Sequence, residues 1–360
     1  IGRLQTFKSS YLSYQFYIVL LYTILNYIRV FFTLLGNPLR RNGEYTPVQK
    51  HLPNFHTTTI KIKKNQSETV KINMEEVTAD TDLPYQFKAE DLIAEGRVSK
   101  ENVEEIRTFV SNLKDKYVPL RIQDEMIIIF LLSCENDVEL TKTTIVNYYY
   151  LKWHGPEIYD DRQMDRPDIQ LAIKTIRMSS IPVRTEENDV YHYFNLHDSN
   201  YRNFEMIPVM KVSYMLMDIA QEKNPPSGLF VIIDMKGAGI MHMTRIKMGA
   251  IKKYLQFLQE GFPMRLKMIH ILNGVYFMDK ILALVQVFIK SEMMHMLKIH
   301  PPNLTQEKLF EIIPKKYLPK DYGGDLPSAD ELHNATIELF NKKEKFWEME
   351  EKIRKISYKG

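Results

Sequence analysis

The chain has 360 residues, 44% of them hydrophobic and 26% charged, the makeup of an ordinary globular protein able to hold one large or two modest domains. A net charge of +3 is too small for a dedicated nucleic-acid binder, so any basic function must sit in a local patch. The single cysteine, Cys134, excludes an internal disulfide framework and fits a reducing, cytoplasmic compartment; the N-x-S/T triplets at Asn65, Asn303 and Asn334 are too common by chance to weigh against it.

Residues 1–73 read as a separate extension. Residues 16–36 are largely apolar and aromatic but carry Asn26 and Arg29. A bilayer span needs about 20 apolar residues, and a charge near its middle costs roughly 2.5–3.5 kcal/mol. No small-residue cleavage site follows, which argues against a removable signal peptide. Residues 41–72 are polar, without periodicity, and expected to be disordered. The first methionine is Met74. Two readings of 1–73 stand side by side: a membrane anchor or interfacial helix, and a translated upstream segment.

Residues 74–165 are expected to form a small all-α module. Ser99 is a helix N-cap followed by Glu101, and Ile106, Phe109, Val110 and Leu113 recur at helical spacing. Residues 126–132 are continuously apolar, which suits a buried helix. Asp137 opens another helix carrying Leu140, Ile145, Tyr148 and Leu151, ended by Pro156. Residues 166–330 alternate strand and helix. Strands are predicted at 190–196, 229–234 and 266–272, helices at 204–221 and 244–260, and one or two more helices at 275–298, with 224–228 as a breaker. This order implies an α/β fold, a mixed or parallel sheet covered by helices. Residues 331–360 read as a C-terminal helical tail.

No catalytic constellation emerges. Gly237-Ala238-Gly239 follows a strand, but His242 stands where a dinucleotide fingerprint needs a small residue, so a tight turn is the plainer reading. There is no G-x-S-x-G elbow, and His242, His270, His295 and His300 form no H-E-x-x-H pair. No metal and no cofactor are expected. What does emerge is a helix face: Met206, Met210, Ser213 and Met217 share one side of one helix, and Lys247, Ile251, Tyr254 and Leu258 follow similar spacing on the next. Either face could simply pack into a core. Methionine is also flexible and polarizable, which suits a wall that adapts to an apolar guest, with Ser213 offering one hydrogen bond.

Three ordered segments resemble the CRAL-TRIO lipid-binding family: 230–237 (F-V-I-I-D-M-K-G), 261–273 (G-F-P-M-R-L-K-M-I-H-I-L-N) and 313–324 (I-P-K-K-Y-L-P-K-D-Y-G-G). Residues 90–161 are similar to that family's helical N-terminal module. The resemblance implies a CRAL-TRIO sandwich at 166–330 with a lipid cavity and a mobile gate. By position, the wall would include Tyr193, Met210, Ser213, Met217, Ile233, Tyr254, Phe257, Leu258, Met264, Leu266 and Ile269. The gate would carry Phe277, Ile281, Val285 and Ile289. Arg265 and Lys267 match head-group positions of the tocopherol-carrier branch, whereas Glu292, Met296, Leu132 and Cys134 stand where that branch has basic residues. The implied function is that of a monomeric, non-enzymatic carrier. It would hold one tocopherol-, retinoid- or phospholipid-like lipid and exchange it with membranes, peripherally bound and touching phosphoinositides. The alternative is a membrane-anchored lipid sensor or scaffold regulating a partner.

Overall fold

Helix starts are set by side-chain caps. After a short helix, Ala89–Ala94 (α1), Ser99 accepts the Asn102 N–H at 3.1 Å and opens Lys100–Asn112 (α2). Asp137 accepts the Leu140 N–H at 2.9 Å and opens Val138–Trp153 (α4). Between them lies Asp124–Ser133 (α3), whose residues 126–131 are all buried, so it has no water-facing side and forms the middle of the module. Leu140 departs from the expected buried face and is 51% exposed. At 100° per residue it lies about 140° around the helix from buried Ile145.

The computed structural model describes residues 82–355, so the readings of 1–73 lie outside the described residues. Two short helices, Pro156–Tyr159 (α5) and Pro167–Thr175 (α6), lead from the module into a five-stranded sheet. Both begin with proline at the first turn, where its missing N–H costs nothing. The strands are Ile176–Ser180 (β1), Val190–Leu196 (β2), Leu229–Asp234 (β3), Leu266–Leu272 (β4) and Leu297–Ile299 (β5), in the order 1-2-3-4-5. β1 runs antiparallel to β2, and the remaining pairs are parallel, so the sheet is mixed. Helices Met206–Gln221 (α7) and Met248–Glu260 (α8) make the two central crossovers. Residues 275–298, expected to hold one or two helices, form Met278–Val285 (α9), a 3₁₀ turn at Gln286–Phe288, Ser291–His295 (α10) and the start of β5. Gln306–Ile312 (α11) and Ala329–Lys355 (α12) complete the chain.

α12 is part of the core. Its Phe340, Phe346 and Trp347 are buried in one cluster with Met178 of β1 and Val212 and Leu216 of α7. Its last turns close a buried charge network. Glu350 binds Lys152 of α4 at 2.8 Å, Arg354 at 3.2 Å and Arg162, while Arg162 also reaches Asp218 of α7 at 2.9 Å. Lys152 and Arg162 have no exposed side-chain surface.

Candidate functional site

The two faces of the sheet are covered differently. Ile232 and Asp234 of β3 and His270 and Leu272 of β4 point to one face and are buried. The closing segment fills that face with Ile313, Tyr317 and Leu318. Its two glycines are obligatory. Gly323 has φ +76°, and a Cβ on Gly324 would lie 1.9 Å from the Leu318 carbonyl oxygen. Tyr322 donates to the Asp234 carboxylate and meets the Tyr193 hydroxyl at 2.9 Å, locking the segment onto β3. Burial and the adjacent Asp234 charge hold the Tyr322 phenol far above its usual range.

The opposite face is apolar but incompletely covered. Ile233 of β3 and Leu266, Ile269 and Ile271 of β4 are only half-buried, although both strands lie inside the sheet. Ile233, Leu266 and Ile269 meet Met210, Met217, Tyr254, Phe257 and Leu258 of α7 and α8, with Met264 from the α8–β4 link. Met210, Tyr254 and Leu258 are also half-buried. Apolar side chains that sit over a sheet and under helices yet keep accessible surface leave room for something else. Ser213 is the polar point of this wall. It donates to the Met210 carbonyl at 2.7 Å and bonds the Tyr254 hydroxyl at 2.8 Å, tying α7 to α8. Burial raises the Tyr254 pKa and the Ser213 contact partly offsets the rise.

Ten of the eleven wall residues expected from the sequence therefore gather on these facing surfaces. Tyr193 does not join them. It sits one residue out of phase on β2, and its ring faces the closing segment with Tyr322. Side chains alternate along a strand, so a single step in register moves a residue to the other face.

The segment after β4 borders the open side. Phe277 and Met278 are buried and fix its start. Ile281, Val285 and Ile289 are half-buried, while Tyr276 (84%), Val287 (59%) and Leu284 (37%) face solvent. Its far end is held by Gln259 of α8, which donates to the Phe288 carbonyl at 2.8 Å and accepts the Lys290 N–H at 2.6 Å. Sequence reasoning missed Gln259, because nothing in a periodic pattern announces a side-chain amide that satisfies a broken helix elsewhere.

Arg265 and Lys267 lie at the start of β4, each with an acid. Arg265 pairs with Glu135, and both are well exposed. Lys267 falls at the β3/β4 register shift and reaches Asp189 at 2.6 Å, where the carboxylate is 2% exposed. Arg265 can exchange its partner at little cost. Lys267 cannot leave without stranding a buried anion. Lys267 and Asp189 also border a cleft of about 450 Å³ lined by Tyr191, Phe230 and Tyr317, on the other face of the sheet. A second cleft, of about 580 Å³, lies between Lys174, His197, Asp330 and His333. Neither includes the expected wall.

The Gly237–Gly239 turn closes on itself. Gly237 has φ +89°, and His242 Nδ1 accepts the Gly239 N–H at 3.1 Å. Among the described residues no three His, Cys, Asp or Glu side chains gather as a metal site. None of their helices is long and apolar enough to cross a membrane.

Residues 177–324 match the CRAL/TRIO domain family, and residues 97–169 match the family described as a Pinta-like UBA domain. The mouse protein "Alpha-tocopherol transfer protein-like" is 25% identical over 226 residues, covering 61% of this chain and 63% of the relative. Clavesin-1 of Xenopus laevis is 21% identical over 253 residues, 66% of this chain and 74% of the relative. The chain thus spans somewhat under two thirds of the tocopherol-transfer-like relatives it matches. A solved structure titled "Crystal structure of Sfh5" overlaps 68% of this chain and 89% of its own at 13% identity and a TM-score of 0.41.

Proposed function

Residues 177–324 are a CRAL/TRIO domain, and from that premise we propose that this protein carries one hydrophobic lipid between the sheet and α7/α8 and exchanges it with membranes. One observation carries the reading: Ile233, Leu266 and Ile269 keep accessible surface beneath the helices that cover them. A guest burying on the order of 500 Å² of apolar surface gains roughly 12 kcal/mol over water at about 25 cal/mol/Å². A bilayer gives the same guest nearly the same environment. The large term therefore cancels in exchange, and shape plus a few polar contacts decide which lipid is held.

The segment 275–289 is the door in this reading. Tyr276, Leu284 and Val287 offer apolar surface to a membrane, and opening would withdraw Ile281, Val285 and Ile289 from the chamber. Membrane contact then biases the open state because it binds that state better. Arg265 is the more available cation for an anionic head group, since its acid partner is exposed. No step in this cycle needs a catalytic residue.

The test is native mass spectrometry of the full chain purified from cells, with organic extraction of whatever it holds. A stoichiometric lipid of one class is the expected result, and Ile269→Trp, which fills the chamber, should lose it while staying folded. A wild-type chain that emerges empty and takes up nothing from mixed liposomes would overturn the carrier reading.

A further inference from the structure

The helical module holds none of the expected wall or gate residues, yet it carries an exposed aromatic surface that the carrier reading does not use. Tyr117, in the link between α2 and α3, meets three rings at the end of α4. Its centroid lies 5.2 Å from Tyr150, 5.8 Å from Trp153 and 5.2 Å from His154. Tyr150 and His154 are themselves 4.2 Å apart. Tyr150 (43%), Trp153 (41%) and Leu120 of the same link (48%) keep much of their surface open. The other side of α4 is committed to the core through Tyr148, Tyr149, Leu151 and Lys152. Large apolar groups gathered in water by a module that has already buried its core mark a contact with something else.

The chemistry of the patch fits a boundary between hydrocarbon and water. Tyr and Trp join an apolar body to one polar tip, which is why they collect at membrane interfaces. The Tyr150 phenol and the Trp153 indole N–H make no hydrogen bond among the described residues. Charge points the same way. Lys114 and Lys116 are exposed, and neither has an ion-pair partner among the described residues. Asp115 between them is turned to the backbone, accepting the Tyr117 N–H at 2.7 Å and the Val118 N–H at 3.3 Å. Lys116 Nζ stands 4.7 Å from the Tyr117 centroid, so cation and ring belong to one surface. Neighbouring charges cancel in pairs, Arg121 with Asp82 at 3.1 Å and Lys253 with Glu157 at 2.7 Å. Neither cleft of the domain borders these rings. Protein partners seat their anchors in shaped sockets, whereas a fluid leaflet needs none.

We propose that this surface is a second membrane contact, separate from the segment 275–289. Trp153, Tyr150 and Leu120 sit at the hydrocarbon boundary of an anionic leaflet, with Lys114 and Lys116 among its head groups.

The experiment exploits the chain's two tryptophans. Trp347 is 1% exposed in the core, so a quencher carried by lipid reports on Trp153. The full chain is mixed with vesicles of phosphatidylcholine and phosphatidylserine whose acyl chains are brominated. Its emission should shift to the blue and be quenched, and Trp153→Phe should abolish the quenching. Lys114→Gln with Lys116→Gln should weaken partitioning onto these vesicles about 25-fold, about fivefold for each lysine, with Tm unchanged. A wild-type chain that floats with the vesicles while its emission stays unquenched overturns the contact and leaves a protein as the occupant of the patch. A double variant that partitions like the wild type overturns it as well. Either failure leaves the carrier reading standing, because the segment 275–289 is probed separately through Val287. A wild-type chain that binds no vesicles overturns both.

Discussion

Removing one carboxylate from the buried charge network should unseat the C-terminal helix. Lys152, Arg162 and Arg354 contribute three positive charges, and Glu350, Asp218 and Asp160 three negative ones. Glu350→Ala leaves an excess of one buried cation around Lys152, which also loses its 2.8 Å contact. Stranding a buried charge in this way costs roughly 3–5 kcal/mol. For a chain of this size that lowers Tm by on the order of 10 °C. The pH dependence gives a second reading. Glu350 is held well below the usual carboxylate range, overcoming the cost of its burial through Lys152 first, then Arg354 and Arg162. Its depressed pKa contributes stability that is present above the unfolded glutamate value and lost as pH falls, so the variant should show a shallower acid limb. Lys152 moves the other way: burial lowers it to about 8. Between about 8 and its unfolded value near 10.5 the unfolded chain binds more protons, so stability in the wild type rises with pH there. Thermal melts followed by circular dichroism from pH 3 to pH 10 measure all of this. A Glu350→Ala chain melting within about 1 °C of wild type at pH 7 would refute the reasoning.

Three further outcomes follow from the geometry. Val287→Asp should weaken flotation with anionic vesicles by about tenfold, since burying a valine in lipid is worth roughly 1.5 kcal/mol, without changing Tm, because Val287 is 59% exposed; unchanged flotation would remove this segment from the membrane contact. Tyr322→Phe should destabilise the fold by about 1–3 kcal/mol, because Asp234 and Tyr193 each lose a hydrogen bond where water is excluded, and a denaturant midpoint equal to wild type would contradict that. Burial lowers His192 to about 3 and His270 to about 4. Both bases bind protons in the unfolded chain first, so stability should fall as pH drops from 6.5 to 5, ahead of the carboxylates. A flat Tm over that interval would refute the burial of both imidazoles in their neutral form.

Much of the fold is local and could be read directly from the chain. The three central strands fall at the residues predicted, because continuous apolar runs such as 229–234 fit only an element buried on both faces. Ser99 and Asp137 announced their helices through capping chemistry that needs no tertiary partner. The short strands β1 and β5 went unnoticed, since Ile176–Ser180 and Leu297–Ile299 pair only because a longer neighbour presents its edge. Residues 275–298 read as one or two helices, but the place of the break was silent, as it depends on Gln259 from another helix. Composition could suggest an apolar wall but not its membership. Which face Tyr193 joins is decided by strand register, and the Tyr159 hydroxyl is buried without a hydrogen bond only because α5, α7 and α8 close around it. Periodicity sorts residues by face, whereas hydrogen-bond satisfaction depends on what every other element brings to the same place.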